Sequence, residues 1–354
     1  MSCQTMHLST LMVTGRSAGV IGAGSFGIAM SKLLSINLPV LMLCRSQRTA
    51  DLINQTHRYR DIDLSPNIRA TLSAEELTSS CRTLFPVVPS DNFRGMMRSI
   101  APYLRPAHFV IHCTKGFDIL EDVDRLNQIS RSQIHTMSEV IAEESPVLRI
   151  GCLSGPNLAK EIIDGQPTAT VIASEFSEVI DEGRELLGSG QFFVFGSHDI
   201  LGAEIAGALK NVIALGSGYL AGRGLGKNIQ SMLITRGLHE IVYFGKAMGA
   251  RTDAFLGTAG IGDLIATATS EDSRNFRFGY RLGRGEVLED ILASIDEVAE
   301  GVRTLKIAVR LAEHYQLQVP ITNMLYKVIY QQYPFETALD YLMRYPYARD
   351  VDFI

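Results

Sequence analysis

Apolar runs of strand length punctuate the first two hundred residues: SAGVIGAG (17–24), PVLMLCR (39–45), TLFPVVPS (83–90), HFVIHCTKG (108–116), LRIGCLSGP (148–156), TATVIASE (168–175) and QFFVFGS (191–197). Polar segments of helical character, beginning with FGIAMSKLLSI (26–36), alternate with them. Buried strands alternating with helices predict a doubly wound, mostly parallel sheet. Past residue 200 the period changes from strand to helix, over 201–221, 228–249, 286–315 and 321–331. The expected fold is therefore an α/β N-terminal half joined near residue 200 to an all-α C-terminal half.

Length and composition narrow the class. A chain of 354 residues exceeds what one core usually supports, so two domains are expected. Hydrophobic residues at 46% and charged residues at 20% suit a globular protein. A net charge of −5 argues against a nucleic-acid partner. Five scattered cysteines without a CxxC pair favour free thiols and a reducing, cytoplasmic setting over a disulfide framework. No run of membrane-spanning length lacks a charged or polar break, so no membrane span is expected. Residues 1–16 read as an extension before the first strand.

Gly22-Ala23-Gly24-Ser25-Phe26-Gly27 is a GxGxxG fingerprint between a predicted strand and a predicted helix. In that context the first glycine permits the turn, the second admits a pyrophosphate and the third lets helix and sheet close up. The helix N-terminus then faces the phosphates. NAD sites usually carry a carboxylate after the second strand, to bond the ribose 2′-hydroxyl. Here the segment is Cys44-Arg45-Ser46-Gln47-Arg48. Arginines without a carboxylate favour NADP, or tolerance of both NADP and NAD.

Lys115 follows a strand directly, where the ligand crevice of such sheets lies. LSGPNLAKEI (153–162) combines a strand end, a Gly-Pro turn and a helix start; Asn157 reads as a helix cap or as part of a turn over substrate. Lys210 is the only charged residue between Ile205 and Gly222, flanked on its helix face by Ala206, Gly207, Ile213 and Ala214. A bare ammonium is costly to bury, so this lysine either reaches water or serves a site. Asp263 is a candidate partner for it. Ser273, Arg274 and Asn275, with Arg277, offer a fork for phosphate. The histidines, His108 and His112 included, form no metal motif and read as structural.

In order along the chain, GAGSFG, VPS, CTKG, SGPNLAKE, ALKNVIALGSG, GLGKNIQSMLITRGL, AGIGDL, SRNFRFG and AEGVRT resemble the bacterial-type NAD(P)-dependent glycerol-3-phosphate dehydrogenase family, over about residues 19–335. The resemblance implies reversible reduction of dihydroxyacetone phosphate to sn-glycerol 3-phosphate, for phospholipid synthesis. It implies a Rossmann domain (1–200), a helical substrate domain (201–354) and an active site between them. By motif, Lys210 would be the catalytic proton donor and acceptor, with Asp263 keeping it protonated. Lys115 would touch substrate and cofactor. Gly155, Asn157, Asp263, Ser273, Arg274 and Asn275 would hold substrate. Gly22, Gly24, Ser25, Phe26, Gly27, Arg45, Ala159, Arg274, Val298 and Glu300 would contact the cofactor. The family commonly has Trp or Tyr at Phe26 and Phe at Leu158. A homodimer is a compatible assembly. Two other readings stand beside this one: a non-catalytic NAD(P)-binding sensor, and a two-domain hydroxyacid dehydrogenase. The latter uses a helix lysine with asparagine four residues on, where this chain has Ala214.

Overall fold

The computed structural model describes residues 16–120, 130–295, 299–346 and 350. Eight strands form the main sheet: β1 (Ala18–Ile21), β2 (Val40–Leu43), β3 (Ile68–Thr71), β4 (Thr83–Pro86), β5 (Phe109–His112), β6 (Arg149–Ser154), β7 (Thr168–Ala173) and β8 (Phe192–Ser197). Their spatial order is β8-β7-β6-β5-β4-β1-β2-β3. All pairs are parallel except β6 with β7. Consecutive residues Val20 and Ile21 enter different core clusters, the first with Ile28, Met42 and Phe85, the second with Leu77, Phe93 and Val140. A strand covered on both faces needs apolar residues at every position, and that is why β1 and β4 read as continuous runs.

Strand β3 has no counterpart among the predicted strands. Ile68 and Ala70 point inward while Arg69 is exposed, a pattern too short to stand out. Each of the seven predicted runs is longer than the strand it forms. TLFPVVPS forms strand only through Pro86, and Ser90 opens helix α2 (Ser90–Ile100). After β1 and the glycine turn comes α1 (Ser25–Leu34). Helix α3 (Met137–Glu144) precedes β6 and carries a Thr136–Glu139 capping box at its start.

The C-terminal half is helical: α4 (Ile200–Gly222), α5 (Lys227–Met248), α6 (Asp263–Thr269), α7 (Arg274–Gly283), α8 (Glu300–Tyr315) and α9 (Pro320–Tyr330). The predicted helix over 286–315 is broken. Leu288–Ser294 ends where Ile295 turns extended, and α8 starts afresh at Glu300. Helix α4 is the axis of this half. It is long and apolar enough to cross a membrane by composition, yet 89% of its apolar window is buried inside the protein. Asp199 caps it, accepting from Gly202 N at 2.9 Å. Gly218 of α4 and Gly279 of α7 let the two helices cross backbone to backbone, where a Cβ on either would collide with the other helix.

Candidate active site

The carboxyl ends of β1, β2, β4, β5 and β6 open on one side of the sheet, the usual ligand crevice of such folds. The glycine turn lies there. Gly22 has φ +113°, and a Cβ on it would meet Val87 O at 2.6 Å. A Cβ on Gly27 would strike the backbone of Gly22. Gly24 differs from both, because a Cβ there would enter open space. Gly24 caps α1 without any side-chain hydrogen bond, so the first-turn N–H groups face that space. This is the geometry a pyrophosphate needs, and the residues fit a dinucleotide cofactor. Phe26 packs partly into the sheet core, and so does Ala159 at the first turn of the short helix Ala159–Ile163. Arg45 and Arg48 stand exposed past the end of β2.

Three charged side chains meet where β5, β6, α4 and α6 converge. Asp263 opens α6 and is 1% exposed. One carboxylate oxygen, Oδ1, accepts from Lys210 Nζ. The other, Oδ2, accepts from Lys115 Nζ at 2.7 Å. Lys115 also donates to Gly155 O at 2.9 Å. Lys210 also donates to Thr267 Oγ1 at 2.6 Å, and the Thr267 hydroxyl lies 3.3 Å from Asp263 Oδ1. An ammonium carries three donors, so each lysine keeps one N–H beyond these contacts. Gly155 adopts φ +150°, a conformation that favours glycine, and a Cβ on it would crowd Thr170 and Ala169 of β7.

Burial is the largest influence on Lys210 and lowers its pKa from 10.5 to about 7, with neighbouring Lys115 lowering it further and Asp263 raising it. Asp263 acts in the expected direction, towards the protonated lysine, and desolvation and the second ammonium act against it. A group poised near neutrality can both give and take a proton.

The remaining sequence candidates divide by position. Asn157 is not a helix cap. It donates to Ala169 O at 3.1 Å and accepts from Thr170 Oγ1 at 2.9 Å, pinning the Gly-Pro turn to β7. Ser273 caps α7, accepting from Phe276 N at 3.3 Å, and Arg274 follows it on the exposed side. Asn275 is buried and spans three helices, donating to Asn211 Oδ1 at 2.9 Å and accepting from Gly301 N at 2.8 Å. Glu300 accepts from Ser90 N at 2.9 Å and Ser90 Oγ at 2.6 Å, and burial pushes its carboxyl up. Val298 lies outside the described residues. Thr267 went unread in the sequence, although its place four residues after Asp263, on the same helix face, is the signal that finds it. Among the described residues no cluster of His, Cys, Asp or Glu could hold a metal ion.

Family profiles match both halves of the chain. The one described as NAD-dependent glycerol-3-phosphate dehydrogenase N-terminus covers residues 17–180, and its C-terminal counterpart covers residues 199–340. The chain is 39% identical to the glycerol-3-phosphate dehydrogenase [NAD(P)+] of Acinetobacter baylyi over 340 residues, 95% of this chain and 92% of that protein. It is also 39% identical to the protein of the same name from an Exiguobacterium species over 344 residues, 95% of this chain and 97% of the other. A crystal structure of glycerol-3-phosphate dehydrogenase from Coxiella burnetii superposes with a TM-score of 0.83 at 25% identity, covering 93% of this chain and 99% of that one. Agreement over both halves and nearly the full length of these relatives leads to one conclusion: the chain belongs to the NAD-dependent glycerol-3-phosphate dehydrogenase family.

Proposed function

We propose that this chain reduces dihydroxyacetone phosphate reversibly to sn-glycerol 3-phosphate, with NADPH or NADH, and so supplies glycerol phosphate for phospholipid synthesis. One observation carries the reading: two lysines from different elements converge on Asp263, each with an N–H to spare. When bound, the reduced nicotinamide supplies a hydride. Lys210 donates the proton that the C2 oxygen of the substrate needs, and its neutral amine takes that proton back in the oxidative direction. Lys115 adds a second positive charge where negative charge develops on that oxygen. Asp263 orients both ammoniums. Ser273, Arg274 and Asn275 at the start of α7 hold the phosphate, whose binding energy fixes the reacting end. Gly155 and Asn157 shape the wall opposite. Gly22, Gly24, Ser25, Phe26, Gly27 and Ala159 seat the dinucleotide, and Glu300 meets it from the helical side.

The cofactor preference is for NADPH, from Arg45 beside the ribose. A charge-assisted hydrogen bond is worth about 1.5–3 kcal/mol, so Arg45→Ser raises the KM for NADPH by roughly 10- to 100-fold. Oxidation of NADPH and NADH with dihydroxyacetone phosphate, wild type against variant, tests both points. Equal loss for the two cofactors removes Arg45 from the 2′-phosphate. Tight cofactor binding without turnover turns the reading toward a sensor.

The chain divides near residue 200 into a cofactor-binding part and a substrate part. Four cysteines, Cys44, Cys81, Cys113 and Cys152, are buried free thiols, in keeping with a cytoplasmic setting. A homodimer is the assembly favoured by edge strand β8, which leaves Phe193 57% and Phe195 52% exposed. A single-chain mass in sedimentation contradicts it.

A further inference from the structure

Glu204 lies on α4 six residues before Lys210, and its side chain is 3% exposed. One oxygen, Oε1, accepts from Ser138 N at 2.8 Å and the other, Oε2, from Ser138 Oγ at 2.6 Å. Ser138 belongs to the first turn of α3, so a carboxylate of the helical half satisfies the N-terminus of a helix in the sheet half. The same Oε1 stands 2.9 Å from His112 Nε2. His112 ends β5, three residues before Lys115, and its side chain is 1% exposed. Phe93 meets the imidazole edge-on at 5.9 Å. Neither ring nitrogen has a hydrogen-bond partner of good geometry, so the contact with Glu204 is a close approach rather than a linear bond. The reaction derived above uses none of these groups.

We propose that Glu204, with His112 and Ser138, is a positioning device that fixes the end of β5 against α4 and thereby sets Lys115 against Lys210. The inference rests on the proposed reaction and deepens it. A buried carboxylate adds little net stability compared with apolar packing, so the placement of Glu204 points to another role. Here Glu204 and His112 join the two elements that carry the two lysines, a short distance along each chain. A single cross-link lower down reinforces the same seam: Asn211 of α4 donates to Lys115 O at 3.3 Å.

The consequence has a definite sign. Lys210 is faced by Asp263 and Thr267 from α6 and by Lys115 from the loop after β5. Glu204 is faced by His112 and Ser138; the nearby Cys113 thiol is pushed by burial to about 12 and that of Cys152 is also raised, so both stay neutral. Glu300 and Arg303 of α8 are spent on Ser90, and Arg274 and Arg277 of α7 lie on the exposed side. If the end of β5 relaxes from α4, Lys115 withdraws, its repulsion of Lys210 fades and Asp263 pairs more fully with Lys210. Lys210 then gives up its proton at higher pH. Removing the negative charge of Glu204 would by itself act the other way, because a lost anion favours the neutral amine. An upward shift in Glu204→Gln is therefore a signature of repositioning.

The test measures kcat and KM for glycerol 3-phosphate oxidation across pH, with thermal melts, in wild type, Glu204→Gln, His112→Gln and Ser138→Ala. The expected result for Glu204→Gln is a fall in kcat of about tenfold or more, as sub-ångström misplacement causes. The KM for the oxidised cofactor stays within about twofold. The midpoint of the rising limb moves above its wild-type position. His112→Gln and Ser138→Ala move it the same way, by less, and decide the matter should Glu204→Gln not fold. Folded, active variants with an unmoved midpoint overturn the positioning role, as does a loss confined to cofactor KM. An inactive wild type overturns the proposed reaction instead.

Discussion

The chemistry condenses at one residue. Lys210 sits beside small side chains, and at Gly207 a Cβ would meet Ser154 Oγ at 3.2 Å and the stem of Lys115 at 3.4 Å; that close enclosure strips water from its ammonium. Burial lowers its pKa to about 7 even with Asp263 in contact. In the proposed reaction the protonated form serves reduction, so kcat for dihydroxyacetone phosphate reduction is expected to be high below that value and to fall as pH rises through it. The neutral form serves oxidation, so kcat for glycerol 3-phosphate rises through the same region. Steady-state profiles in both directions check this, and two limbs with midpoints far above neutrality contradict it. Most of the site's residue types were legible in the sequence. Lys115 stands out as a charge after a strand, Lys210 as a charge in an apolar helix, Gly155 as a glycine at a turn and Asp263 as a carboxylate available to partner Lys210. Their arrangement was not legible. No spacing reveals that Asp263 bridges both lysines, or that Asn275 is engaged by Asn211 and Gly301.

Elements in this protein are often capped from a distance, and that is the part of the fold the sequence conceals. Val319 at the start of α9 offers no cap. Glu240 of α5 supplies it, accepting from Ile321 N at 2.6 Å, Thr322 N at 2.9 Å and Thr322 Oγ1 at 2.7 Å. Burial raises its pKa from 4.5 to about 7 in spite of those donors. A carboxyl whose folded pKa is raised contributes stability that is fully present below its unfolded value and is lost as pH rises through the folded one. The Tm of the wild type accordingly drops more between pH ~5 and pH ~8 than that of Glu240→Gln, whose neutral amide does not titrate. Glu240→Ala leaves buried N–H groups unmet and costs about 1–3 kcal/mol. Thermal melts at both pH values check this; parallel slopes for wild type and Glu240→Gln contradict it. Long elements with a clean period, such as α4 and α5, were read nearly to the residue. Strand β3 and helices α6 and α7 were not, because each is short and the glycines, serines and acidic residues around α6 and α7 blur their period.

At the scale of the molecule, the two halves are joined by apolar packing, as of Cys152 and Val171 against Ala203 and Ala259, and by buried polar contacts. Glu204 reaches the start of α3 and Glu300 the start of α2, so carboxylates of the helical half complete helices of the sheet half. Arg303 adds a bond to Phe117 O at 2.6 Å. The site lies along this seam: Lys115 comes from one side, Lys210 and Asp263 from the other. Neither half alone assembles it. The most direct test of the whole account compares wild type with Lys210→Ala in the oxidation of NADPH by dihydroxyacetone phosphate, with cofactor affinity measured alongside. The account predicts substrate-dependent turnover in the wild type. It predicts a loss of about 10²- to 10⁴-fold in the variant, as for removal of a general acid, with cofactor binding unchanged. Near-normal turnover in Lys210→Ala, or none in a folded wild type that binds NADPH, contradicts it.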